Sequence, residues 1–359
     1  MLTTIVATGI VLGILIFVHE LGHFILAKKL GVKILKFSLG FGPKLIGKKI
    51  GETEYQIAVF PLGGFVKPLG EDPHEEIKTE EYHRSYWAQP IWKRTLIIVA
   101  GPFFNFFLAV VLFSTINLFG IPFMPPKIGG VTSGLPAEGA GLKKGDVVLS
   151  IGGEPVSQWD DVAKIIRNSD GKELTIKVKR NEEIMEVRVT PQPFTDKDMF
   201  GEEIKTFRIG IESPKEILVQ KVGPFEAVGK GFSQTWFGIK LTVVSIIKLI
   251  ERVIPAKTIG GPILIAQMAG EQAKRGLLSL VLFTAILSIN LGVINLFPIP
   301  ILDGGHFLFL SLEAILRKPL SIRKMEIAQQ IGLIFIILLM LFAFYNDLIR
   351  LFSPEGFKF

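Results

Sequence analysis

The chain has 359 residues, 49% of them hydrophobic, with 29 phenylalanines against 4 tyrosines. A mean hydropathy of +0.46 is typical of a membrane protein. Cysteine is absent, which excludes a disulfide framework, thiolate metal ligands and a cysteine nucleophile. The net charge of +7 does not indicate nucleic-acid binding, because lysine and arginine accumulate beside membrane spans on the cytoplasmic side.

An uncharged apolar run predicts a first membrane-spanning helix over about residues 3–27. Near its end stands the sequence His-Glu-Leu-Gly-His, residues 19–23. On a helix, His19 and His23 lie one turn apart on the same face and can bind one metal ion. Glu20 lies beside them, where it can accept a proton from a water. Such a pattern also arises by chance on soluble helices, but polar groups inside a membrane helix are costly and usually functional.

Three further stretches satisfy the length rule for a span, and they lie within residues 95–126, 276–302 and 327–346. The first span lacks a basic start and a small-residue cleavage site, so we do not interpret it as a signal peptide. Lysine and arginine are concentrated between spans one and two and between spans three and four. The positive-inside rule then places both loops in the cytoplasm, with both termini and the 127–275 segment outside. The active-site motif would lie in the cytoplasmic half of span one.

Residues 226–253 are apolar enough to suggest a fifth span. A fifth span would reverse the third one and move its C-terminal end away from the histidines. On a helix, the charges of this segment fall within an arc of roughly 80°, and they are Glu226, Lys230, Lys240, Lys248 and Glu251. Charges on one face are typical of an amphipathic helix at a membrane surface, and we predict that arrangement.

The loop after span one contains recurrent glycines between residues 40 and 70, interleaved with β-prone runs at 55–60 and 65–66. This pattern predicts β-hairpins rather than a helix. An apolar hairpin beside a membrane active site would offer an unpaired edge to an extended substrate. A surface loop that only packs on the helices is the alternative, and the residues do not choose between the two.

A second motif follows span three, Asn-Leu-Phe-Pro-Ile-Pro-Ile-Leu-Asp-Gly-Gly-His at residues 295–306. Pro298 and Pro300 should break the helix, which is tolerable only beside protein or a cavity. Asp303 would then lie on the same side of the membrane as the two histidines. Two histidines and a carboxylate are an established zinc ligand set, so Asp303 is our candidate third ligand. The alternatives are a helix cap at this position, or His306 as the ligand, although we expect His306 to be a loop residue that is solvated or a hydrogen-bond partner.

Residues 127–194 predict a soluble globular domain with a helix around 159–168 and strands at 175–179 and 185–190. This order resembles a bacterial PDZ domain, above all in the sequence AGLKKGDVVLSIGG at residues 140–153. By this resemblance, the carboxylate-binding loop corresponds to the backbone of Gly134, Leu135, Pro136 and Ala137. PDZ domains capture peptide termini by strand addition. The alternative is a small β-domain without a ligand.

Taken together, the motifs resemble the intramembrane zinc metalloproteases of the site-2 protease family, in particular the regulator-of-sigma-E type with a PDZ domain. An HExxH sequence in a first span is specific to this family when a distant NxxPxPxLDGG sequence accompanies it. The resemblance extends over nearly the whole chain. The stretches of this chain that carry the resemblance are HELGH at 19–23, GFGP at 40–43, PLGGFVKPLGED at 61–72, AGPFFNFFLA at 100–109, GGPILIAQMAG at 260–270 and NLFPIPILDGGH at 295–306.

The resemblance implies a zinc metalloendopeptidase with one zinc ion per chain, held by His19, His23 and Asp303. Glu20 corresponds to the catalytic glutamate, which takes a proton as water attacks the peptide bond. Asn295 corresponds to an asparagine thought to help hold the substrate or the developing oxyanion. The implied substrates are single-pass transmembrane proteins, such as anti-sigma factors or remnant signal peptides, cleaved within or near their transmembrane segments. The other partners are membrane lipids, with no nucleic acid and no prediction of oligomeric state.

We therefore expect a polytopic α-helical protein of the bacterial inner membrane, with four transmembrane helices, a membrane-associated β-hairpin and an inserted extracytoplasmic PDZ domain. The predicted organisation follows chain order. Residues 1–126 carry spans one and two with the hairpin, 127–212 the PDZ domain, 213–275 amphipathic surface helices and 276–359 spans three and four. By resemblance, the hairpin clamps an extended substrate and the 226–253 helix helps to gate entry. The best-known Gram-negative relatives have two PDZ domains, whereas this chain has room for one.

Two other classes of function were weighed. A transporter or channel with a metal site shares broken helices and midplane polar residues, but it predicts internal repeats, which the four spans do not show. A catalytically silent scaffold with a PDZ domain predicts the loss of Glu20, which is present.

Overall fold

The computed structural model describes residues 1–71 and 76–352. Asp72, the last residue of the 61–72 stretch, and His74, for which we predict no role, lie outside the described residues. The chain forms two compact units. The first contains residues 1–116, 224–249 and 255–359, and the second contains residues 117–223 and 250–254.

Four helices within the described residues are long and apolar enough to cross a membrane: α1 (Leu2–Lys29), α2 (Ile91–Phe119), α7 (Leu277–Asn295) and α9 (Ile322–Phe352). They coincide with the four predicted stretches, so the prediction of four apolar helices of spanning length is confirmed. Each one contains long apolar runs in which Leu, Ile, Val and Phe favour a helix whose outer surface is lipid-compatible.

The glycine-rich loop folds into two long antiparallel strands, β1 (Ile34–Ile50) and β2 (Thr53–Pro68), joined at Gly51, whose φ of 62° suits glycine. The predicted β-hairpin is confirmed. Both strands bend, so that residues 36–39 pair with 64–67 on one side and with 54–57 on the other. The 64–67 segment is therefore an outer strand of this small sheet. A buried cluster of Ala27, Val32, Ile34 and Ile97 joins the base of the hairpin to α1 and α2.

Three other helices complete the first unit: α5 (Pro224–Ile250), α6 (Pro262–Arg275) and α8 (Asp303–Leu316). The predicted helix over 226–253 is present as α5. A Cβ at Gly231 would lie 2.8 Å from Val110 O, and one at Gly238 would lie 2.7 Å from Ile289 Cδ1. Helix α5 thus lies along α2 and α7, a packing that the sequence analysis did not predict, and its position at a membrane surface stays a prediction.

The second unit contains α3 (Pro136–Gly139), α4 (Trp159–Arg167) and a four-stranded sheet in the order β6-β5-β7-β8. These strands are β5 (Val147–Ile151), β6 (Glu154–Pro155), β7 (Leu174–Arg180) and β8 (Glu183–Val189). Three strand pairs accompany the sheet: β3 (Ile121–Phe123) with β12 (Leu218–Gln220), β4 (Gly130–Val131) with β11 (Ile211–Glu212), and β9 (Gln192–Lys197) with β10 (Glu203–Arg208). The core contains buried Ile128, Val148, Ile151, Val162, Ile176, Val178 and Ile209. The predicted helix and two strands are present, whereas the PDZ assignment stays a prediction.

Candidate metal centre

Three predicted residues from distant parts of the chain meet in the first unit. His19 and His23 lie on α1, and Asp303 is the first residue of α8. The two Nε2 atoms are 3.3 Å apart, and Asp303 Oδ2 lies 3.2 Å from His19 Nε2 and 3.6 Å from His23 Nε2. Among the described residues, this is the one group of three or more His, Cys, Asp and Glu side chains close enough to share a metal ion.

The donor set and its spacing fit zinc. Tetrahedral zinc with ligand bonds of about 2.0–2.2 Å requires donor atoms roughly 3.3 Å apart, and the three observed separations are 3.2, 3.3 and 3.6 Å. Asp303 Oδ2 is buried and has no hydrogen bond of acceptable geometry. A buried carboxylate oxygen facing two imidazole nitrogens is the arrangement expected of a cation site.

Glycines at the contact between α1 and α2 make this arrangement possible. A Cβ at Gly101 would lie 2.3 Å from His23 Nε2 and 2.8 Å from His19 Cε1, and one at Gly22 would lie 2.4 Å from Ala100 O. Any side chain at position 101 would therefore occupy the space of the imidazoles. The sequence analysis did not single out this glycine, because its importance comes from a contact across more than 70 positions of the chain.

Helix α2 also holds the far side of each imidazole ring. His23 Nδ1 lies 2.8 Å from the carbonyl oxygen of Ile97, and Asn105 Nδ2 lies 3.1 Å from His19 Nδ1. The sequence analysis missed the role of Asn105, although a buried amide within an uncharged span is itself a signal of function. Both Nδ1 atoms have partners on one helix, so both Nε2 atoms face Asp303.

Asp303 is brought to the histidines by a break in the helical chain. Helix α7 ends at Asn295, the segment with Pro298 and Pro300 is not helical, and α8 begins at Asp303. A Cβ at Gly304 would lie 2.3 Å from Leu296 O, so the turn needs glycine there. The N-cap residue of α8 is Leu302, and Asp303 therefore does not act as the helix cap that was the alternative.

A cavity of about 750 Å³ adjoins the three side chains, and Glu20 and Asn295 also line it. The backbone N–H of Val66, in the outer strand of the hairpin, donates a hydrogen bond to the Glu20 carboxylate. The expectation that His306 lies in a loop is wrong. His306 lies on α8, one turn after Asp303, where it is half-buried and lines the same cavity.

Comparison with known proteins identifies the family. The sequence profile described as "Peptidase family M50" matches residues 7–339. The chain belongs to peptidase family M50. It is 33% identical to "Regulator of sigma-W protease RasP" of Bacillus subtilis, covering 97% of this chain and 99% of the relative. It is 32% identical to "Zinc metalloprotease RasP" of Geobacillus kaustophilus, covering 98% and 99%.

The predicted resemblance to site-2 proteases is thus confirmed, and the chain is a zinc metalloprotease with apolar helices of membrane-spanning length.

In this M50 peptidase a buried ion pair fixes the helix that carries Asp303. Arg94 Nη2 donates to Glu313 Oε1 at 2.6 Å and Nη1 donates to Oε2 at 3.1 Å. Arg94 is 4% exposed, and this bidentate pairing joins α2 to α8.

Two backbone N–H groups of the predicted carboxylate-binding loop have acceptors within the second unit. The Gly134 N–H donates to Glu138 Oε2 at 2.8 Å, and the Ala137 N–H donates to Ile209 O at 2.8 Å. Hydrogen bonds from the Gly134 amide and the Ser133 hydroxyl hold the pKa of the Glu138 carboxyl below its usual value. Carboxylate binding at residues 134–137 stays a prediction.

Proposed function

We propose that this M50 peptidase hydrolyses peptide bonds within or near the transmembrane segments of other membrane proteins. The observation that carries the proposal is the group of His19, His23 and Asp303, with Glu20 beside it, on helices among the apolar spans. The name of the Bacillus subtilis relative, a regulator of sigma-W protease, supports a role in regulated proteolysis. The substrates we propose are single-pass proteins, such as anti-sigma factors or remnant signal peptides.

In the proposed mechanism, His19, His23 and Asp303 hold the zinc ion. Bound zinc supplies a Lewis acid that polarises a carbonyl and lowers the pKa of a water. Glu20 accepts a proton from the attacking water and delivers it to the leaving amine. The Asn295 amide, which lines the same cavity, donates a hydrogen bond to the developing oxyanion.

We propose that the 64–67 strand presents the substrate to Glu20. A transmembrane helix must unwind before cleavage, since helical peptide bonds are engaged in internal hydrogen bonds. Among the described residues, this strand has its ladder partner, residues 36–39, along one edge, and Phe65 and Val66 line the cavity. An extended substrate can therefore add to its outer edge. Val66→Pro removes the N–H that donates to Glu20 and disrupts the strand edge beside it, so it should lose cleavage and keep zinc, whereas Val66→Ala should retain both.

The experiment that tests the proposed function uses purified protein in liposomes with a single-pass model substrate. We expect cleavage inside the apolar segment, located by mass spectrometry, which a chelator abolishes and added zinc restores. Cleavage confined to exposed, extramembrane peptide bonds would contradict intramembrane proteolysis. Comparing membrane proteomes with wild-type and Glu20→Gln protein would then identify the natural substrates.

From the basic loops we infer an orientation in the bacterial inner membrane with both termini and residues 127–212 outside and the active-site motif in the cytoplasmic half. Labelling of single cysteines, introduced into this naturally cysteine-free chain, tests it. A cysteine at exposed Lys144 should react with an impermeant reagent added outside, and one at exposed Lys318 should not.

We further propose that the second unit is a PDZ-type domain that restricts which substrates are admitted. Its order of strands and helix supports this. Removing residues 127–194 should leave cleavage of short substrates intact and admit substrates that still carry an external domain. Loss of cleavage of both substrate forms, with zinc retained, would contradict a role in selection.

A further inference from the structure

Asn105 is fully buried on α2, in a span that contains no charged residue after Arg94. Its amide reaches His19, with Nδ2 3.1 Å from the ring atom Nδ1. Asn105 Oδ1 is buried and has no hydrogen-bond partner among the described residues. Buried side-chain oxygens are rarely left unpaired, and such a group requires an explanation.

The present contact has a consequence for the imidazole of His19. If Asn105 Nδ2 donates to Nδ1, then Nδ1 carries a lone pair and the ring proton is on Nε2. Yet Nε2 is the atom that faces Asp303 Oδ2 at 3.2 Å and His23 Nε2 at 3.3 Å. A protonated Nε2 cannot bind a metal ion, because metal binding uses the lone pair.

Rotation of the Asn105 amide by 180° exchanges its oxygen and nitrogen. Oδ1 then accepts a hydrogen bond from Nδ1–H of His19, and the Nε2 lone pair points at Asp303 and His23, while Nδ2 takes the buried position that has no partner among the described residues. We propose that Asn105 is a positioning residue that holds His19 in its metal-binding tautomer. This proposal rests on the assignment of His19 as a zinc ligand in the proposed function.

The neighbouring ligand has the same arrangement, which supports the proposal independently. His23 Nδ1 lies 2.8 Å from the carbonyl oxygen of Ile97, an acceptor that requires a proton on Nδ1. Residues 97, 101 and 105 follow one another at intervals of four along α2, and so lie along one face of it. That face therefore provides an acceptor for each ring, with Gly101 making room between them. Metal-binding histidines commonly donate their second N–H to such an acceptor.

The test measures the zinc dissociation constant of the purified full-length protein by competition with a chelator. Asn105→Leu keeps the branched shape of the side chain and removes the acceptor, and zinc binding should weaken by about 10- to 100-fold. Asn105→Asp restores the acceptor, and its zinc affinity should stay within about threefold of wild type or exceed it. Asn105→Ala provides the same comparison if the leucine variant does not accumulate.

Ser288→Ala is the matched control. The Ser288 hydroxyl donates to the backbone carbonyl of Asn105 at 2.7 Å, so this change disturbs the same helix contact without touching the amide. It should leave zinc affinity unchanged. Equal affinity in wild type, Asn105→Leu and Asn105→Asp would overturn the proposal, and so would equal weakening in the leucine and aspartate variants.

His19→Ala separates this proposal from the proposed function. If His19→Ala loses zinc while Asn105→Leu does not, only the positioning role fails. If His19→Ala binds zinc as wild type does, the ligand assignment fails, and the Asn105 proposal fails with it.

Discussion

Asp146 in the second unit and Asp303 in the first have opposite surroundings. In the second unit, Asp146 is 1% exposed and its oxygens accept from Arg180 Nε at 2.7 Å, Arg180 Nη2 at 2.8 Å and the Lys143 N–H at 2.9 Å. In the first unit, Asp303 Oδ2 faces two imidazole nitrogens and has no hydrogen bond of acceptable geometry. Both carboxylates have buried oxygen atoms. What distinguishes the metal centre is a buried carboxylate oxygen that has no hydrogen-bond donor of acceptable geometry among the described residues.

The largest effect should come from filling the space between the imidazoles. We expect Gly101→Ala to lose zinc and to lower cleavage by more than about 100-fold, because its Cβ would lie 2.3 Å from His23 Nε2. Metal analysis of the purified protein measures the loss. Gly13→Ala on α1 is the control, since a Cβ there meets nothing within 4 Å. Normal zinc content in the Gly101→Ala protein would contradict the geometry of the centre.

The same substitution at each aspartate should have different effects. Asp303→Asn removes an anionic donor, so zinc affinity should fall by roughly 100-fold while the second unit keeps its protection from proteolysis. Asp146→Asn leaves Arg180 without its carboxylate and should destabilise the second unit by about 2–3 kcal/mol, with zinc content unchanged. Zinc analysis and limited proteolysis of both variants measure this contrast, and loss of zinc in Asp146→Asn would contradict it.

The smallest expected effect is a pH dependence confined to the second unit. Burial raises the pKa of Asp146, but hydrogen bonds from Arg180 and the Lys143 amide outweigh it and hold the pKa below its ordinary value. The stabilisation from a lowered carboxyl pKa is complete above the unfolded value of about 4 and is lost as the pH falls through the folded value. Hydrogen exchange should report weaker protection of β5 and β7 below about pH 4. Asp146→Asn should remove that part of the dependence, and an unchanged pH profile in this variant would contradict the prediction.

Local patterns in the sequence predicted much of this protein. The apolar runs predicted four helices, and the recurrent glycines between β-prone segments predicted the hairpin. The HExxH motif and Asp303 were recognised because each stands within a short pattern with its own chemistry. These features depend on residues that are close together in the sequence, so they can be recognised from the sequence alone.

Features that depend on packing were missed. Gly101 and Asn105 matter because α2 lies against α1, 86 positions away in the case of Asn105 and His19. Helix α8 was not predicted, since two prolines and two glycines around Asp303 are typical of a loop. His306 was consequently expected in a loop. The position of α5 beside α2 and α7 depends on Gly231 and Gly238. Their close contacts with other helices cannot be recognised from a periodic pattern in the sequence.

The most direct test of the central claim compares zinc content with cleavage in Glu20→Gln. We assign proton transfer to Glu20 and metal binding to His19, His23 and Asp303, so this variant should retain zinc at the wild-type level. Its cleavage of a transmembrane model substrate in liposomes should fall by about 100- to 10,000-fold. Cleavage at a rate near that of wild type, with zinc retained, would contradict the assignment of Glu20 and the mechanism built on it.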